Sequence, residues 1–141
     1  MNSLTSAQVE QIKQFQRNEI TEYHIYKNLS ERVRNTENAK VLASIAEDEK
    51  KHYDFWKSYS QSEVKPNRWK VRKFYWLARI LGVIFSVKLL EQGEQDAQAA
   101  YTRMAEVIPE SKQIVEDEDK HEEQLIELLK EKKLDYVGSI V

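Results

Sequence analysis

Two Glu-x-x-His pairs, Glu49/His52 and Glu118/His121, interrupt two apolar stripes without breaking their helical period. Leu42, Ile45, Glu49, His52 and Trp56 follow steps of 3, 4, 3 and 4; Ile114, Glu118, His121, Leu125 and Leu128 follow steps of 4, 3, 4 and 3. Such steps place each set of side chains on one face of an α-helix, the face that packs inward in a bundle. A carboxylate and an imidazole therefore stand where apolar side chains belong. Two further stripes carry acids on the same face: Ile12, Phe15, Glu19, Glu22, Tyr26 and Leu29, then Ile84, Val87, Glu91, Glu94, Gln98, Tyr101 and Ala105. Glu19 precedes Tyr26 by seven residues and Glu94 precedes Tyr101 by seven, so the chain reads as a duplicated helix pair.

The remaining signals agree on an all-α fold. With 3 Gly and 2 Pro in 141 residues, 33% of them charged, there is little room for the turns of a β or α/β architecture. Thr5 and Gln8 form a capping box that starts helix 1, which is expected to run to about Val33. A short polar turn then leads into helix 2, from about Thr36 to Ser60, so the two should form an antiparallel hairpin. Helix 3 is expected to reach back from about Val107 to well before Gly82. Pro109-Glu110-Ser111 separates it from helix 4, which is expected to end near Lys133. Residues 62–79 are too many for a tight turn and predict a long, partly helical crossover between two hairpins. The expected division is a bundle over 1–133 and a tail over 134–141.

Burying this many carboxylates costs several kcal/mol per ion, on the order of the whole stability of a domain, unless something positive sits among them. Two divalent metals fit the count: Glu19, Glu49, Glu94 and Glu118 supply four negative charges, and His52 and His121 give one neutral nitrogen per ion. A Glu and His at i and i+3 project the same way, so one pair can serve two ions. Carboxylate and imidazole donors suit iron or manganese, and less often zinc. A single Glu-x-x-His on a charged helix is ordinarily a solvated pair; two in phase with their own apolar stripes are much harder to obtain by accident. Tyr26 and Tyr101 read either as core aromatics or as hydroxyls that hold a ligand carboxylate. His24 falls off the stripe and is expected at the surface. The absence of Cys excludes rubredoxin-type iron sites, zinc ribbons and thiol chemistry, and a net charge of −2 argues against nucleic acid as partner.

The segments Asn18 to Tyr26, Glu49 to His52, Gly93-Glu94 through Tyr101, and Glu118 to His121 resemble the rubrerythrin branch of the ferritin-like di-iron proteins. Two hairpins joined by a crossover are similar to that topology. The resemblance implies a four-helix bundle with two Fe ions, bridged by Glu49 and Glu118, with Glu19, Glu94, His52 and His121 as terminal ligands. It also implies ferroxidase or peroxidase chemistry on Fe(II) with O2 or H2O2. Rubrerythrins usually carry a seventh carboxylate three residues after the helix-3 Glu, and Ala97 stands there. Glu22, at the pseudo-symmetric place on helix 1, is expected to take that role near the metal bound by His121, and Glu91 to support a ligand or guide metal inward. Lacking a rubredoxin part, a peroxidase cycle would need an outside reductant.

The ends of helix 3 and of the chain, from Trp69 to Lys73, Phe74 to Leu90, and Leu134 to Val141, resemble ferritin-like domains fused to vacuolar-iron-transporter-type membrane domains. The resemblance implies an attached or adjacent transporter, and a role in sensing or delivering iron. Phe74 to Leu90 is too short to span a bilayer, which takes about 20 apolar residues. Its surplus apolar surface is expected in a homodimer interface, or against a membrane beside Lys65, Arg68, Lys70, Arg72 and Lys73. Met1 to Glu10 lacks the basic start and apolar core of a secretory leader, so the expected location is cytoplasmic, including the cytoplasmic face of a membrane. Two rivals remain open at this stage: a metal-binding regulatory or carrier module without turnover, and a metal-free helical interaction module.

Overall fold

The computed structural model describes residues 3–140, and the side chains of these except 94–96 and 131–140. It is all-α, with no strand among the described residues. Five helices follow in order: α1 (Ser6–Ser30), α2 (Thr36–Ser60), α3 (Arg68–Leu81), α4 (Val83–Val107) and α5 (Lys112–Ile140), with one 3-10 turn at Pro109–Ser111. They divide into two compact units, the first ending at Trp76 and the second beginning at Leu77.

In the first unit α1 and α2 pack together as a hairpin. The capping box forms as the sequence requires: the Thr5 hydroxyl accepts the Gln8 N–H at 3.1 Å, and the Gln8 side chain accepts the Thr5 N–H at 2.9 Å. Asn35 caps α2 by accepting the Asn38 N–H at 3.1 Å. Helix α1 ends at Ser30, a few residues earlier than expected, and α2 has the expected limits. Gln61 then turns the chain in the left-handed conformation (φ 54°), the usual geometry of a helix stop.

The segment after α2 is tied down by side chains of the hairpin. Gln16 donates to the Ser62 carbonyl at 2.8 Å and accepts from the Ser60 hydroxyl. The Tyr53 hydroxyl accepts the Val64 N–H at 3.0 Å, and the Thr21 hydroxyl accepts the Asn67 N–H at 2.8 Å. These bonds give backbone groups of an irregular segment the partners they would otherwise take from water. Gln16 and Thr21 are buried on α1, so the segment is anchored to that helix. Asn67 in turn accepts the Lys70 N–H at 3.1 Å and starts α3.

In the second unit α4 and α5 pack together across the turn at Pro109. Two expectations are corrected. Helix 3 does not run through Gly82: the chain breaks there, with φ 95° and ψ 159°, into α3 and α4. That backbone region is essentially restricted to glycine, and one glycine in an apolar run reads in the sequence as merely tolerated. The crossover is accordingly a helix of its own. The last helix does not end near Lys133 but continues to Ile140; the side chains of the expected tail, 134–141, lie outside the described residues, as does Val141 altogether. Gly82→Ala would meet no atom within 4 Å, so its cost is backbone strain alone. The expected loss is about 1–3 kcal/mol of stability in urea titrations.

Candidate metal centre

Helix α1 buries its whole predicted stripe: Ile12, Phe15, Glu19, Glu22, Tyr26 and Leu29. Helix α2 does the same with Leu42, Ile45, Glu49, His52 and Trp56. Phe15 and Trp56 meet at a ring-centroid distance of 5.0 Å, so the apolar part of the seam closes one turn from the acids. Glu19 is 0% exposed, Glu49 1% and His52 4%. Each offers one ligand atom, and the three atoms lie within 4.8 Å of one another. The first unit by itself thus brings two carboxylates and an imidazole to one point.

Within this group His52 Nδ1 stands 3.5 Å from Glu19 Oε2. That is longer than the 2.7–3.2 Å of an ordinary N–H···O hydrogen bond. Two donors bound to one cation at about 2.0–2.2 Å each, at angles between octahedral and tetrahedral, lie roughly 2.9–3.5 Å apart. The 3.5 Å spacing falls within that range, and it is also that of a His–carboxylate ion pair.

The second unit holds the other pair. Helix α5 buries Ile114, Glu118, His121, Leu125 and Leu128, the complete second stripe. His121 Nδ1 stands 4.0 Å from Glu118 Oε1. On α4, Val87 and Tyr101 are buried and Ile84, Glu91, Ala97, Gln98 and Ala105 half-buried. The side chain of Glu94 lies outside the described residues, so its expected ligand role rests on the sequence pattern alone.

Charge makes the strongest case. Four carboxylates, Glu19, Glu22, Glu49 and Glu118, and two imidazoles, His52 and His121, are buried, while no Lys or Arg is buried among the described residues. One carboxylate oxygen each of Glu19, Glu49 and Glu118, and Nδ1 of both histidines, are sealed from water. Carboxylates removed from solvent take up a proton or a cation. Oxygen and imidazole donors without thiolates are the set expected around iron or manganese. The donor set therefore fits a metal ion held by carboxylate and imidazole groups.

Glu22 is buried, at 6% exposure, but does not belong to the Glu19–Glu49–His52 group. Tyr26 and Tyr101 are buried on the stripes of their own helices, as expected. His24, expected at the surface, is half-buried and sits edge-on to Tyr23 at 5.0 Å. Burial first, then the charges of Lys27 and Lys50, hold its imidazole below the usual histidine pKa. Sequence reasoning missed Gln16, Thr21 and Tyr53, which anchor residues 62–67 to the α1–α2 hairpin; being polar residues on polar helices, they carry no signal of their own.

A family model described as Rubrerythrin matches residues 10–114. That span takes in Glu19, Glu22, Glu49, His52 and Glu94 and stops before Glu118 and His121. No curated protein and no solved structure matches the chain.

Proposed function

This chain belongs to the rubrerythrin family, and from that premise we propose that it is a di-iron carboxylate protein that binds Fe(II) and oxidises it with O2 or H2O2. The observation that carries the proposal is that buried Glu19, Glu49 and His52 each offer a ligand atom within 4.8 Å of the others. Glu19, Glu49 and His52 would hold metal from the first unit, Glu94, Glu118 and His121 from the second. Glu22 is the seventh carboxylate we assign as a ligand. When bound, the iron pair supplies the redox chemistry, one electron from each ion.

The protein's own contribution is positioning and charge. Glutamates carried on packed helices present their oxygens at defined places, while the buried stripes of α1 and α2 exclude bulk water. Tyr26 and Tyr101 are the hydroxyls we assign to orienting ligand carboxylates. The 141 residues contain no Cys and so carry no rubredoxin-type electron donor of their own.

Anaerobic protein loaded with two Fe(II) per chain and mixed with O2 or H2O2 is expected to develop ferric absorbance faster than free Fe(II) under the same conditions. Tight binding of two ions with oxidation no faster than free iron would identify a carrier or regulatory module. Failure to bind iron or manganese would remove the proposal altogether.

A further inference from the structure

Helix α3 has two apolar faces, and only one is covered. Phe74 (4% exposed) and Ala78 (7%) turn inward. On the other side Trp69 is 80% exposed, Trp76 53% and Ile80 72%. These three stand at i, i+7 and i+11, which at 100° per residue fall within about 40° of one another on the helix. Arg68, Arg72 and Arg79 line one edge of this stripe, and Lys73 the other; all four are exposed. The charge is concentrated here as nowhere else: residues 64–90 contain seven of the 22 basic residues and none of the 24 acidic ones.

We propose that the outer face of α3 seats the protein on an anionic lipid surface, with Trp69 and Trp76 entering the boundary between headgroups and acyl chains. Indole rings favour that boundary because an apolar body sinks toward the chains while the N–H stays among polar groups. The flanking Arg and Lys side chains reach anionic headgroups and bury their stems as they do so. No described helix is long and apolar enough to cross a membrane, so α3 would lie in the interface plane. A second copy of the chain is a poorer occupant: apposing two such faces sets Arg68, Arg72, Lys73 and Arg79 against their own kind. The inference rests on α3 alone and stands or falls independently of the metal centre.

The test uses the full chain with vesicles of phosphatidylcholine alone and vesicles containing about a third phosphatidylglycerol. Co-sedimentation is expected with the anionic vesicles and not with the neutral ones, weakening as salt is raised. Tryptophan emission is expected to shift to the blue on binding, and because Trp56 is already 0% exposed the shift reports Trp69 and Trp76. The double variant Trp69→Ser/Trp76→Ser should lose the shift and partition at least about tenfold less, and Arg72→Glu/Lys73→Glu should weaken partitioning at least about tenfold with both indoles retained. Both pairs of residues are exposed, so unchanged circular dichroism and melting temperature serve as the folding control. Any of three results overturns the proposal: no vesicle association, equal association with neutral vesicles, or a Trp69-dependent dimer in sedimentation that ignores vesicles.

Discussion

Replacing Glu49 and His52 together with leucine is expected to abolish metal-dependent oxidation of Fe(II) and, in the same variant, to raise the melting temperature of the metal-free protein. The two effects share one cause. Both side chains are buried, on a seam otherwise formed by Leu42, Ile45 and Trp56. Without metal, that seam bears the desolvation of an acid and an imidazole, and replacing such groups by apolar side chains of similar volume is commonly neutral or stabilising by about 1–4 kcal/mol. For a chain of this size the upper end is on the order of 10 °C in melting temperature. With metal, the same replacement removes an oxygen and a nitrogen donor at once. Thermal unfolding in chelator, beside metal analysis after dialysis against Fe(II) or Mn(II), separates the two contributions. A double-leucine variant that is less stable than the parent without metal, or that still oxidises iron at the parent rate, contradicts the assignment.

The seams of this protein are legible in its sequence because a helix repeats itself. Once the steps of three and four are found, Ile12 through Leu29 and Leu42 through Trp56 can only lie on single faces, and the structure buries every one of those eleven side chains. The Glu-x-x-His pairs stand out for the same reason: a charged residue in phase with apolar neighbours contradicts its own hydropathy. Features without a period were less legible. Gly82 ends one helix and begins another through a single positive φ, and nothing in the flanking apolar run announces it. The bonds from Gln16, Thr21 and Tyr53 to residues 62–67 are long-range pairings between polar groups, which no local pattern encodes. The stripe of Trp69, Trp76 and Ile80 lies between these cases. Its spacing is helical, but in the sequence it merges with the apolar run from Phe74, and only burial separates the covered face from the exposed one.

Single substitutions of the two histidines are expected to divide the metal content. If two ions are held with one imidazole each, His52→Ala and His121→Ala should each reduce the bound metal from two ions per chain to about one, and combining them should leave little. Stabilisation by metal should divide likewise, since a site filled at a hundred times its dissociation constant contributes about 2.7 kcal/mol. Each single variant should keep roughly half of the metal-induced rise in melting temperature. His121→Ala is the more discriminating of the two. It lies beyond residue 114, where the family match ends, and its partner Glu118 belongs to the second unit. A carrier using only Glu19, Glu49 and His52 would bind one ion and be indifferent to His121. A dinuclear centre cannot be, because the second ion then loses its only nitrogen donor, leaving carboxylates whose preference shifts toward magnesium and calcium. Competition of Fe(II) against Mg(II) in His121→Ala therefore measures what the second imidazole contributes: selectivity for iron should fall at one site and persist at the other.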